Sequence, residues 1–223
     1  MDYRIISIGA LSGHELWSRN GGIHTPHATT TLIRSGDKVI LVDPGLPVQV
    51  IAARLAERAG LEPADVTDVF LTCFRPAHRM GLAAFEKARW QISEMERESI
   101  GLSLIEHLNQ QPEPAVQKMI KRDIALLKRF HNAPDRLAEH VDLFPLPGFT
   151  PGTCGLIISH ANSTTLIAGD AVATVEHLEQ RRVLKRAFDV LQAKESLAEV
   201  MEIADIIVPG HDNVLLNPSR RPM

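Results

Sequence analysis

Leu71-Thr72-Cys73-Phe74-Arg75-Pro76-Ala77-His78-Arg79-Met80-Gly81 follows directly on the apolar pair Val69-Phe70. The run Val66 to Thr72 is rich in β-branched and apolar residues and reads as a strand, which Pro76 and Gly81 turn into a loop at its C-terminal end. A thiol, a guanidinium and an imidazole therefore leave one strand end close together, at Cys73, Arg75 and His78. A thiol and an imidazole are candidate ligand or nucleophile and base, and a guanidinium a candidate anion binder.

Working outward, 223 residues with 44% hydrophobic content suffice for one sizeable core, so residues 1–223 are expected to form one domain, with a helical insertion at about 94–135. The formal charge of -3, from 24 basic and 27 acidic side chains, leaves no electrostatic footprint for nucleic acid or an anionic membrane. Met1-Asp2-Tyr3-Arg4 lacks a signal-peptide pattern, and no apolar run reaches the ~18 residues of a spanning helix. With Cys73 and Cys154 as the two cysteines, a disulfide framework is not the organising principle, and a cytoplasmic location is expected.

Tyr3 to Ala10 reads as the first strand, followed by a polar loop carrying His14, His24 and His27. Ala28 to Ser35 and Lys38 to Val42 are strands joined by a Gly36-Asp37 hairpin turn, and Asp43-Pro44-Gly45 ends the second. Asp43 is read as a turn residue bonding its own backbone. Val50, Ile51, Leu55 and Ala59 recur at helical spacing, with Gly60 as the stop. Arg89 to Ile92 is a short strand, and Ser93 with Glu96 forms a capping box for a following helix. Pro112 and Pro114 divide the helical stretch, whose stripe of Val116, Met119, Ile120, Ile124, Leu127 and Phe130 predicts core packing, with a lid or a homodimer face as the alternative. His107, His131 and His140 are expected to be solvated or capping. Strands at Val141 to Phe144, Leu156 to Ser159 and Thr164 to Ala168 precede an amphipathic helix over Ala187 to Ile203.

The opening stretch resembles, in frame, the Thr-His-X-His-X-Asp-His-X-X-Gly loop of the metallo-β-lactamase superfamily. Val42-Asp43-Pro44-Gly45, Gly148-Phe149-Thr150-Pro151-Gly152, Gly169-Asp170 and Pro209-Gly210-His211 match four further elements in the right order, and the resemblance implies, as the alternative to the turn reading, that Asp43 supports the site's loops. The resemblance implies an α/β fold, a four-layer αββα sandwich with the site at one edge between the sheets. It also implies two metal seats. Cys73, Arg75 and Phe149 stand where the first seat would have histidines, and a guanidinium or a phenyl ring offers no lone pair, so the first seat is expected to be absent. The second seat loses an aspartate at Ala77 but keeps His78, Asp170 and His211, enough for one zinc or iron ion.

Three functions stay open at this point. One is a mononuclear metal-dependent hydrolase of a small anionic or ester-type substrate, with Arg75 stabilising an oxyanion or binding a carboxylate or phosphate. A second is a metal-free enzyme in which Cys73 acts as nucleophile beside His78. The third is a non-catalytic binding protein in which Asp170 pairs with Arg75 where the metal charge would be. His24 and His27 are weighed as substitute ligands or substrate contacts. A likeness to quorum-signal lactonases stops at Ala173, where tyrosine is expected.

Overall fold

A computed structural model of the chain describes residues 1–13, 16 and 25–220. The first half builds a six-stranded sheet, in spatial order, from β1 (Asp2–Ser7), β2 (Thr30–Ser35), β3 (Lys38–Val42), β4 (Asp68–Leu71), β5 (Arg89–Ile92) and β6 (His131–Asn132). β1, β2 and β3 are antiparallel, and β3 through β6 run parallel. The second half supplies β7 (Arg136–Ala138), β8 (Val141–Pro145), β9 (Cys154–Ser159), β10 (Thr164–Gly169), β11 (Ile206–Pro209) and β12 (Leu215–Leu216), in the order β12-β11-β10-β9-β8-β7. Only β10 and β11 of these neighbours are parallel.

Alternation along the strands sorts the apolar side chains into three layers of core. Phe70 points between the sheets, with Ile33, Ile40 and Val42, to meet Leu156, Ile158, Ile167 and Val208 of the second sheet. Val69 and Leu71 point the other way, toward Ile51 and Leu55 of helix α1 (Val48–Ala59) and Leu127 of the helical pair α3 (Glu94–Gln110) and α4 (Pro114–Leu127); the short α2 (Pro76–Arg79) lies between α1 and α3 in sequence. Leu166, Ala168 and Ile207 leave the outer face of the second sheet for Leu178 of α5 (Val175–Glu179) and Leu197 and Val200 of α6 (Val190–Ile203). Strands buried on both faces read as continuous apolar runs, as at Val69 to Leu71. The result is the expected αββα sandwich.

Several bounds move for local reasons. The first strand stops at Ser7, and Ala10 instead forms an isolated bridge with His27. α6 begins at Val190, three residues later than its periodicity suggests, because the Asp189 carboxylate accepts from the backbone N–H groups of Leu191 and Gln192 as a cap. Leu191, in the first turn, is exposed. Of the α4 stripe, Ile120, Leu127 and Phe130 are buried, while Met119 is 64% exposed. Among the described residues no helix is long and apolar enough to cross a membrane.

Candidate functional site

Four strand ends converge at one edge of the sandwich. Asp43 follows β3, the Thr72–His78 loop follows β4, Asp170 follows β10 and His211 follows β11. Asp43 has a positive φ of 49°, and its buried carboxylate reaches across rather than back onto its own turn. It accepts from the Thr72 backbone N–H at 2.9 Å and the Thr72 hydroxyl at 2.6 Å. Its Oδ2 also lies 3.0 Å from His78 Nδ1. The turn-residue reading of Asp43 is therefore corrected: this side chain organises the first loop.

Asp170 is the hub. Its Oδ2 lies 3.1 Å from His78 Nε2, and its Oδ1 lies 2.9 Å from His211 Nε2. His211 Nδ1 is 2.9 Å from the backbone oxygen of His27, an acceptor that places the proton on Nδ1. Asp43 does the same for His78. Both rings thus turn Nε2 toward the one carboxylate, with the other nitrogen held by an acceptor, the arrangement that orients metal-binding imidazoles. Despite the short distance, Asp170 Oδ1 has no hydrogen bond of acceptable geometry, although the atom is buried. Gly210 allows this approach: a Cβ there would sit 2.7 Å from the Gly169 carbonyl carbon and 3.0 Å from Asp170 Oδ1.

Cys73 is fully buried, with Sγ 3.7 Å from Asp170 Oδ2. Among the described residues, Cys73, His78 and Asp170 form the set whose ligand atoms all lie within 4.8 Å of one another. Burial pushes the Cys73 thiol up to about 12, against the pull of His78. For Asp170, burial opposes the charge, yet the imidazoles of His78 and His211 outweigh it and hold the carboxyl well below the usual carboxylate range. For His78, burial opposes protonation, but Cys73, Asp43 and Asp170 hold the ring well above the usual histidine range. A proton or a metal ion is the kind of cation that such a cluster demands. An orphaned carboxylate oxygen, two oriented imidazoles and a thiol fit a transition-metal ion.

A cavity of about 570 Å³ adjoins this cluster, lined by Asp170 and His211 together with Arg75, Phe149, Lys185 and Arg186. The expected Asp170–Arg75 ion pair is not formed. The Arg75 guanidinium lies instead over the Phe149 ring, 4.7 Å from its centroid, and Asp170 takes its counter-charge from the two imidazoles.

The Gly-Phe-Thr-Pro-Gly loop is fastened from an unexpected side. Ser93 caps α3 by accepting from Glu96 N at 3.2 Å, but the Glu96 carboxylate does not complete the box. One oxygen accepts from Phe74 N at 2.8 Å and the other from the Thr150 hydroxyl at 2.6 Å, so a buried side chain joins the loops bearing Cys73 and Phe149. Burial raises the Glu96 pKa, in spite of the hydrogen bonds from Thr150, Phe74 and Gly152. A Cβ on Gly152 would lie 2.0 Å from Glu96 N, so the helix end and the loop meet as bare backbone.

The other histidines singled out in the sequence divide cleanly. The His27 ring nitrogens lie 3.0 Å and 3.1 Å from the Thr25 and Ile8 backbone oxygens, so the residue serves the site through its own carbonyl and not its imidazole. His107, His131 and His140 are exposed, as expected. His14 and His24 lie outside the described residues. Sequence reasoning set Asp43 aside and missed Glu96, which both hold the loops here, and Lys185 and Arg186, which line the cavity. For Asp43 a signal existed in the Val-Asp-Pro-Gly turn; for Glu96 the capping box concealed it.

Two facing sheets between helical layers, with Asp170 and the two imidazoles at the strand ends where they meet, form an αββα sandwich of the metallo-beta-lactamase type. The profile of the metallo-beta-lactamase superfamily matches residues 26–211, and the chain belongs to that superfamily. Among solved structures, a metallo-beta-lactamase candidate from Thermotoga maritima is 20% identical, with a TM-score of 0.69, over 96% of this chain and 98% of its own. AidC, a dizinc quorum-quenching lactonase in complex with a product, N-hexanoyl-L-homoserine, is 22% identical, with a TM-score of 0.64, over 78% of this chain and 67% of its own. A candidate metal-dependent hydrolase from Staphylococcus aureus is 15% identical, with a TM-score of 0.69, over 91% and 81%. No curated protein matches. Likeness at these identities establishes the fold.

Proposed function

We propose that this chain is a hydrolase that uses one metal ion where AidC, by its description, uses two zinc ions, and that it acts on a small anionic or ester-type molecule. The observation that carries the reading is the pair of imidazole Nε2 atoms set 3.1 Å and 2.9 Å from the two oxygens of Asp170, with Asp170 and His211 lining the cavity. His78, Asp170 and His211 would hold the ion, of zinc or iron type. When bound, such an ion lowers the pKa of a coordinated water and supplies a hydroxide nucleophile near neutral pH. Arg75 and Phe149, which have no lone pair to offer, occupy two of the three ligand positions of the family's other seat, so a second ion has no home.

The chain's own groups do the rest. Asp43 and the His27 carbonyl keep the two rings in the tautomer that faces Asp170. The planar Arg75 fork, laid on Phe149, presents donors to a carboxylate or phosphate, with Arg186 adding a second positive charge at the cavity lining. A cavity of about 570 Å³ suits a metabolite-sized ligand.

One observation favours a second reading. His78, held well above the usual histidine range between Asp43 and Asp170, supplies a cation by itself, and the cavity then serves as a metal-free anion-binding site. Metal analysis of the protein purified without chelator decides between the two. A near-stoichiometric ion that is lost in Asp170→Ala supports the hydrolase. Protein that carries no metal, and takes up none on incubation with zinc, iron or manganese, refutes it. Arg75→Ala should weaken an anionic ligand by roughly 10- to 100-fold on either reading, the worth of a charge-assisted hydrogen bond.

A further inference from the structure

Two buried cysteines are used in different ways. Cys154 lies in the apolar layer between the sheets, its Sγ directed at the Gly155 carbonyl, and behaves as a small hydrophobic residue. Cys73 is equally buried, yet its Sγ lies 3.7 Å from Asp170 Oδ2, and that same oxygen lies 3.1 Å from His78 Nε2. Donor atoms that share one tetrahedral ion at ordinary bond lengths are separated by ~3.3–3.6 Å, so both pairs are close to the spacing that coordination needs. His211 falls outside this mutual set and stands on the other oxygen of Asp170, where the cavity begins. The carboxylate is also under-satisfied: Asp170 Oδ1, the oxygen turned to His211, is buried without a hydrogen bond.

We propose that Cys73 is a metal ligand, so that the buried core of the seat is Cys73, His78 and Asp170, with His211 on its cavity side. The inference rests on the single-metal reading given above and deepens it. Coordination replaces the S–H bond by a sulfur–metal bond, and the proton leaves to solvent. A thiolate in the set favours a borderline-soft ion such as zinc over magnesium or manganese, which prefer all-oxygen sites. The competing account is a plain S–H donor to Asp170.

Titration of the metal-free full chain with cobalt(II), followed by near-ultraviolet and visible absorption, separates these. A thiolate-to-cobalt charge-transfer band that saturates at a single equivalent is expected in the wild type and in Cys154→Ser, and its loss in Cys73→Ser. Cobalt affinity in Cys73→Ser should fall by more than the ~10–100-fold that removal of a supporting group costs. Cobalt that binds with ligand-field bands alone, or a charge-transfer band that persists in Cys73→Ser, overturns the thiolate ligand and leaves the single seat standing. A wild type that takes up no cobalt overturns both. Circular dichroism checks that Cys73→Ser is folded; should it not be, the band in the wild type and in Cys154→Ser still decides.

Discussion

Glu96 is the side chain whose replacement tests most directly how the site's walls are held. In Glu96→Gln the amide oxygen still accepts from Phe74 N, and the amide nitrogen donates to Thr150 Oγ1, which turns its own proton to Thr153 Oγ1, 2.6 Å away. The network survives, and the loss at neutral pH should be about 1 kcal/mol or less. In Glu96→Ala both acceptors go, Phe74 N–H is left buried without a partner, and about 2–3 kcal/mol is lost after allowing for removal of a buried charge. The pH dependence has a defined sign. A carboxyl whose folded pKa is raised, as burial does here from the ordinary 4.5, contributes stability that is fully present below that value and is lost as pH rises through the folded pKa. Wild type should therefore gain on Glu96→Gln as pH falls from neutral toward the ordinary 4.5, all other titrating groups cancelling in the difference. Urea unfolding of the three proteins at both ends of that range provides the measurement. An alanine variant as mild as the glutamine variant, or a wild-type-to-glutamine gap that does not change with pH, would refute the buried-bridge account.

Two further substitutions probe the strand ends. Asp43→Ala strips partners from Thr72 N–H, the Thr72 hydroxyl and His78 Nδ1 together, and should destabilise the fold by about 3 kcal/mol in urea unfolding while weakening metal uptake ~10–100-fold by titration. Gly210→Ala forces a Cβ to within 2.7 Å of the Gly169 carbonyl carbon, and should lower stability by about 1–3 kcal/mol and shift His211 away from Asp170; an unchanged unfolding midpoint would count against that close approach.

What could be read without coordinates followed from local chemistry. β3 (Lys38–Val42) and α1 (Val48–Ala59) begin and end where their patterns and punctuating residues put them. His78, Asp170 and His211 were legible because each follows a recognisable strand-to-turn junction, and they are indeed brought together. β6, β7 and β12, of two or three residues, are too short for any alternation to register. The partners of Asp43 and Glu96 lie far along the chain, at Thr72 and Thr150, and no pattern within a turn or a cap announces such contacts. The supposed Asp170–Arg75 pair failed because two imidazoles were nearer and an aromatic face was available to the guanidinium.

The convergence of four strand ends also has a kinetic side. β3 and β4 belong to one sheet and β10 and β11 to the other, so Asp43 and His78 cannot meet Asp170 and His211 until the two sheets have docked. The contacts that define the site, such as Asp170 with His78, span 92 residues and are closed at large loop entropy. A ligand that bridges them is linked to global unfolding, not to the opening of one loop: it should slow the unfolding of the whole sandwich while leaving the rate at which either half begins to form unchanged.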